Sequence, residues 1–155
     1  MKIIPPNKDY VKEISRLMLT ELEKPNPLFP QKMILQFREH AKEENILNEL
    51  ENPNLIAFVA IHNGVLVGFI VGYKEDSKTS MIQYINGGNI KNKKLLLKIF
   101  IDECKKKGIV SIKTDTFEFM ENNKVFKEAG FVLIKKEKIT NNLKMLWYKL
   151  DLNLS

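Results

Sequence analysis

Cysteine is almost missing from this chain. Cys104 is the only one in 155 residues, which excludes an internal disulfide and fits a reducing compartment. Histidine is equally scarce: His40 and His62 stand alone, without the spacing of a ligand set, so no metal site is expected. Arginine occurs only at Arg16 and Arg38, although 25 Lys and Arg face 19 Asp and Glu for a net charge of +6. Nucleic-acid grooves lean on arginine for base and stacking contacts, so the basic balance reads first as solubility and ranks nucleic acid last among partners. Long apolar runs are absent too. FVAIHNGVLVGFIV is broken by His62, Asn63 and Gly64, so neither a membrane span nor a membrane partner is expected. The opening MKIIPPNKDY lacks the apolar core of a secretory signal, and the expected location is the cytoplasm.

What is present is ordinary globular material, 44% hydrophobic and 28% charged. It carries no repeat, low-complexity tract or linker, which predicts one domain over 1–155 with a single substantial core. Lys2 to Pro5 reads as a short strand stopped by Pro5-Pro6. Asn7 or Asp9 caps a helix with an apolar stripe at Val11, Ile14, Leu17, Met18 and Leu22, ended by Pro25 and Pro27. A second helix starts near Pro30, with Ile34, Phe37 and Ala41 inward, and continues or restarts through Ile46, Leu47 and Leu50. LIAFVAI and VLVGFIVGY flank His62-Asn63-Gly64, a strong hairpin signal because Asn-Gly supplies two left-handed positions. A strand from Ser80 to Ile85 follows. Leu95 to Ile101 is apolar around most of a helix and predicts deep burial, with Lys105 to Lys107 and Gly108 closing it. Val110 to Phe117 is a fifth long strand, and FVLIKKEKI and LKMLWYKLDL form a closing antiparallel pair that offers an edge to a second copy of the chain.

Met81 to Phe131 is the most informative stretch. A strand ends in Gly87-Gly88, a lysine-rich helix opens, a strand follows, and a short helix closes on Gly130-Phe131. A helix N-terminus fed by a glycine turn suits a phosphate, because its first amides lack partners and its dipole favours negative charge. Lysines in that first turn oppose the dipole, a misfit that a bound anion removes.

This order, with these residues, resembles the GNAT superfamily of N-acetyltransferases. The resemblance covers nearly the whole chain and is specific from about Ile82 to Phe131. It implies a single-domain α/β fold with a mixed, mostly antiparallel twisted sheet of about seven strands flanked by about four helices. In that family a Q/R-x-x-G-x-G/A loop at a helix N-terminus takes the pyrophosphate of acetyl-CoA. Leu95-Leu96 sets the register, laying the pattern over Gly87, Gly88, Asn89, Ile90, Lys91 and Asn92. Gly87 replaces Gln or Arg, while Ile90 and Asn92 replace two small residues. Asn92 tolerates unusual φ, and Gly87-Gly88 supplies flexibility one step early.

The resemblance implies a site for acetyl-CoA as co-substrate: Asn89 to Lys94 for the diphosphate, with Lys91, Lys93 and Lys94 adding charge, and Tyr84 and Ile85 for the pantetheine arm. Phe126 falls where many members carry a tyrosine that protonates the departing thiolate. Phenylalanine cannot do so, which leaves unassisted departure, water or Tyr148. As ordinary packing, Phe126 is a core residue. Asp115 and Glu118 are candidate general bases, beside structural readings as a turn cap and a solvated acid. The asparagine common early in the family's next helix is out of register, and Asn122 or Asn123 substitutes. Cys104 reads as a core filler. The expected activity is acetyl transfer to a primary amine, on a small molecule or a peptide, by direct attack, with the acceptor over the first two helices and the loop from Pro25 to Pro30. A degenerate acyl-CoA sensor or interaction module is the alternative.

Overall fold

The structure, a computed structural model, describes residues 1–22 and 27–152. The expected helix stop at Pro25 and part of the expected acceptor loop lie outside them. In chain order the elements are β1 (Lys2–Ile4), α1 (Val11–Leu22), α2 (Gln31–His40), α3 (Glu43–Leu50), β2 (Leu55–His62), β3 (Val65–Lys74), β4 (Thr79–Asn86), α4 (Ile90–Lys106), β5 (Ser111–Phe117), α5 (Asn122–Glu128), β6 (Val132–Thr140) and β7 (Leu143–Asp151). No described helix is long and apolar enough to cross a membrane.

The strands form one sheet in the order β1-β2-β3-β4-β5-β7-β6. Only β4 and β5 run parallel, so the sheet is mixed and mostly antiparallel as expected. The β2–β3 turn has positive φ at both Asn63 and Gly64, the geometry for which Asn-Gly is selected. Period-two alternation distributes the strands' apolar side chains over two cores. Val59 and Phe69 pack with Val11, Ile14, Met18, Ala41 and Ile46 on the α1–α3 face. Their neighbours Ala60 and Ile70 pack with Leu96, Leu97, Phe100 and Val125 on the α4–α5 face. The single core expected from chain length is therefore two layers on one sheet.

One helical alternative is decided and one expectation is corrected. The second helix does not run through to Leu50 but restarts, so there are five α-helices among the described residues, close to the four or so expected. Lys42 is extended (φ -64, ψ 136), which breaks the helix, and α3 restarts at Glu43; the buried Ser15 hydroxyl donates to the Ala41 carbonyl at 2.6 Å beside the break. Nor is α4 buried around most of its girth: Leu95 is 38% exposed, whereas Leu96, Leu97 and Phe100 are buried. Leu95 shares the solvent stripe of Lys91, Lys94 and Lys98. At the far edge of the sheet, Val132, Leu133 and Ile134 of β6 are exposed.

Candidate functional site

A gap opens in the middle of the sheet. The parallel β4–β5 pairing runs from Thr79–Ser111 to Ile82–Thr114 and then stops. Beyond it Tyr84, Ile85 and Asn86 still pair with β3, and Asp115, Thr116 and Phe117 with β7. Their facing edges have no ladder between them. The strands diverge because Gln83 is an extra residue in β4, a bulge between the Tyr84–Val71 and Ile82–Gly72 pairs. Thr114 Oγ1 donates to the Ile82 carbonyl at 3.2 Å and closes the apex. A cleft of about 350 Å³ occupies the gap, walled on its outer side by α1, α2 and Phe29.

At its end the chain turns into α4, and three asparagines hold that turn. Asn89 is the N-cap: its side-chain oxygen accepts the Asn92 N–H at 2.8 Å. Asn92 Nδ2 donates to the Gly87 carbonyl at 2.9 Å, and the Gly88 N–H donates to Asn86 Oδ1 at 3.3 Å. Gly88 has φ +71, and a Cβ at Gly87 would lie 2.8 Å from the backbone nitrogen of Lys93. Gly87 thus lets the turn sit against the first turn of α4. The expected open row of amides is shorter than expected, since Asn89 takes that of Asn92. The amides of Asn89, Ile90 and Lys91 have no acceptor among the described residues.

The three lysines serve differently from one another. Lys93 is 8% exposed, and its ammonium donates to Glu121 Oε1 at 2.8 Å and Asn122 Oδ1 at 2.9 Å. Lys94 pairs with Glu128. Only Lys91 has no ion-pair partner among the described residues, and it is exposed. Lys93 therefore ties α4 to α5. Lys93→Met leaves the buried Asn122 carbonyl oxygen without its donor and is expected to destabilise the fold by about 1–3 kcal/mol, read as a lower Tm.

The structure brings Tyr84, Ile85, Asp115 and Phe126 together on the cleft. Burial pushes the Tyr84 hydroxyl up to about 12, and the charges of Glu49 and Asp115 add to it. Burial, then the nearby Glu137 carboxylate, pushes the Asp115 carboxyl up to about 6. Glu118 is exposed and off the cleft wall. Tyr148 is buried and donates to Asn123 Oδ1 at 2.7 Å, while Asn123 Nδ2 donates to the carbonyls of Phe117, Glu118 and Met120. Asn123 thereby locks the β5–α5 connection, and Asn122 lines the cleft instead. Phe126 is 1% exposed, with its ring 5.4 Å from Phe131 and 6.0 Å from Tyr148.

Sequence reasoning missed Thr116, whose buried hydroxyl has no partner among the described residues although the residue lines the cleft. It also missed the apolar wall of Met18, Phe29, Met33, Phe37, Phe117 and Phe119. The dense Phe117-Glu118-Phe119 run and the proline-flanked Phe29 were the available signals.

No family model and no curated protein matches the sequence. Solved structures match it end to end. A putative acetyltransferase of the GNAT family from Desulfovibrio desulfuricans is 12% identical, with 97% of this chain and 98% of that one covered at a TM-score of 0.72. The chain has the GNAT fold. A second match, the putative acetyltransferase yncA from Salmonella typhimurium with its cofactor acetyl-CoA, is 16% identical, with 99% of this chain and 94% of that one covered at a TM-score of 0.78. A third, the aminoglycoside 6'-N-acetyltransferase from Enterococcus faecium, is 14% identical, with 97% of both chains covered at a TM-score of 0.77.

Proposed function

We propose that residues 1–155 form one N-acetyltransferase domain that moves the acetyl group of acetyl-CoA to a primary amine. The unpaired edges of β4 and β5 beyond Ile82 and Thr114 carry this reading. Strand edges in a water-poor cleft must hydrogen-bond to something, and the amide-bearing pantetheine arm supplies such groups to the backbone at Tyr84 and Ile85. The unpartnered Thr116 hydroxyl offers a further contact. The free amides of Asn89, Ile90 and Lys91, with the Lys91 ammonium, suit the diphosphate.

Asp115 is the general base. The apolar wall that raises its carboxyl to about 6 also disfavours an ammonium ion, so the proton affinities of base and substrate converge. Asp115 accepts the proton, and the amine nitrogen attacks the thioester carbonyl, whose oxygen is polarised by strand amides. The carbon–nitrogen bond forms, the carbon–sulfur bond breaks, and the nitrogen gives its second proton to solvent water as the neutral amide is released. Phe126 has no proton to give and the Tyr148 hydroxyl is engaged by Asn123, so the thiolate leaves unassisted and is protonated by water. A thiol of pKa about 8.5 is an adequate leaving group. The buried Cys104, raised by desolvation, takes no part and accords with a cytoplasmic location.

The cap of Asn89 on Asn92, together with Phe126, favours one other reading, an acyl-CoA sensor without turnover. Coenzyme A at a hundredfold its Kd stabilises a binding fold by about 2.7 kcal/mol, an expected rise in Tm of roughly 5–10 °C. That rise with thiol release on an amine panel supports the transferase. The rise without turnover supports the sensor, and no rise removes both.

A further inference from the structure

The composition of the cleft goes beyond the reaction class, because it restricts what can carry the amine. Its outer wall is Met18, Leu22, Phe29, Met33, Ile34 and Phe37, and the only charge on it among the described residues is the exposed Glu21 at the rim. Across the gap, Asp115 is the one other charged lining residue among those described. Among the described residues the cleft is lined by no lysine, arginine or histidine.

Each of these facts removes a class of acceptor. A polyamine or an aminoglycoside carries several ammonium groups, and seating it here buries cations against methionine and phenylalanine with two carboxylates among the described residues to answer them. An α-amino acid brings a carboxylate, and no cationic side chain among the described residues stands ready to pair with it. A single amine on an apolar body meets neither obstacle: its nitrogen faces Asp115 and its body covers the wall.

The rings also limit size. Phe29 stands edge-on to Phe117 at 5.0 Å and to Phe119 at 5.4 Å, and Phe117 and Phe119 stack at 5.9 Å with planes 4° apart. This cluster joins the segment before α2 to the end of β5 across the cleft. Phe37 presents its edge to Tyr84 at 5.5 Å. Aromatic faces and edges of this kind receive another ring well.

We propose that the acceptor is a small primary monoamine with an aromatic or branched aliphatic body, seated against Phe29, Met33 and Phe37 with its nitrogen toward Asp115. This rests on the acetyltransferase reading. Specificity would then come from the wall, with Phe29 as its removable member.

The test is thiol release from acetyl-CoA with five acceptors: 2-phenylethylamine, spermidine, kanamycin, phenylalanine and a short peptide with a free N-terminus. Thermal shift with coenzyme A is recorded alongside. The expected kcat/KM for 2-phenylethylamine exceeds that for spermidine, kanamycin and phenylalanine by about a hundredfold, the discrimination an apolar pocket can supply. Phe29→Ala is expected to raise the KM for 2-phenylethylamine about tenfold while the coenzyme A shift is unchanged, which also shows that the variant is folded. Spermidine or kanamycin turned over as well as 2-phenylethylamine overturns the proposal, as does turnover confined to the peptide. A full coenzyme A shift with no amine consumed overturns it in favour of a sensor. No coenzyme A shift at all sinks the underlying acetyltransferase reading instead.

Discussion

Asp115→Asn is expected to lower kcat/KM by about 10²–10⁴ and, at the same time, to raise the melting temperature at neutral pH. The activity loss follows from removing the only carboxylate that the described residues place on the inner wall of the cleft. The stability gain follows from the direction of its shift, from 3.8 up to about 6. A carboxyl shifted that way binds its proton more tightly folded than unfolded. Its stabilising share is whole below about pH 4 and is lost as the pH rises through about 6. At pH 7 the ionised carboxylate therefore opposes folding by on the order of 2 kcal/mol, after allowance for its partial exposure. Asparagine keeps the shape and drops the charge, so Tm at pH 7 should rise by roughly 4–8 °C, with little gain at pH 4. Wild-type kcat/KM should fall as the pH drops below about 6, and that acid limb should vanish in the variant. Unchanged turnover, or an acid limb that survives the substitution, puts the base elsewhere.

Phe100→Ala is expected to destabilise the fold by about 3–5 kcal/mol, a fall in Tm of roughly 6–20 °C. Phe100 is fully buried at the centre of the α4 face with Leu96 and Leu97. It lies so close over β3 that a Cβ on Gly72 would stand 2.7 Å from Phe100 Cζ. The same Cβ would stand closer still to the Met81 carbonyl oxygen, which is backbone and has nowhere to go. Gly72→Ala should therefore destabilise on its own, and the vacancy left by Phe100→Ala should not rescue it. Urea unfolding of both single variants and the double variant settles this. A double variant as stable as Phe100→Ala alone would show the ring, and not the carbonyl, to be the obstacle. Gly72 adjoins the bulge at Gln83, so the same strain reaches the strand that opens the cleft.

The strands and α4 were legible because each rests on a short-range pattern. The apolar runs LIAFVAI and VLVGFIVGY and the Asn63-Gly64 turn between them specify a hairpin within some twenty residues, although the bulge that shifts its register between Ala60 and Ile61 was not legible. Roles assigned to single polar side chains were harder to read. Lys93 looks like its neighbours Lys91 and Lys94 in sequence, yet its position on the inward side of α4 commits it to Glu121 and Asn122, some thirty residues away. Asn89 and Asn92 read as a loop awaiting a ligand, but a carboxamide two or three residues from a helix start satisfies the backbone itself. Tyr148 was a candidate for chemistry and Asn123 for cofactor binding, and the hydrogen bond between them ties β7 to the β5–α5 connection.

The amino-acid sequence by itself determined the element order, the hairpins, the buried face of α4 and the Gly87-Gly88 turn, because hydrophobic period and turn chemistry act between near neighbours. The insertion of β7 between β5 and β6, the parting of β4 from β5 after Ile82, and the charge and apolar surroundings of Asp115 were decided only by the tertiary structure. Burial, and with it proton affinity, is set by side chains from α1, α2, β5 and the Phe29 segment that meet nowhere along the chain.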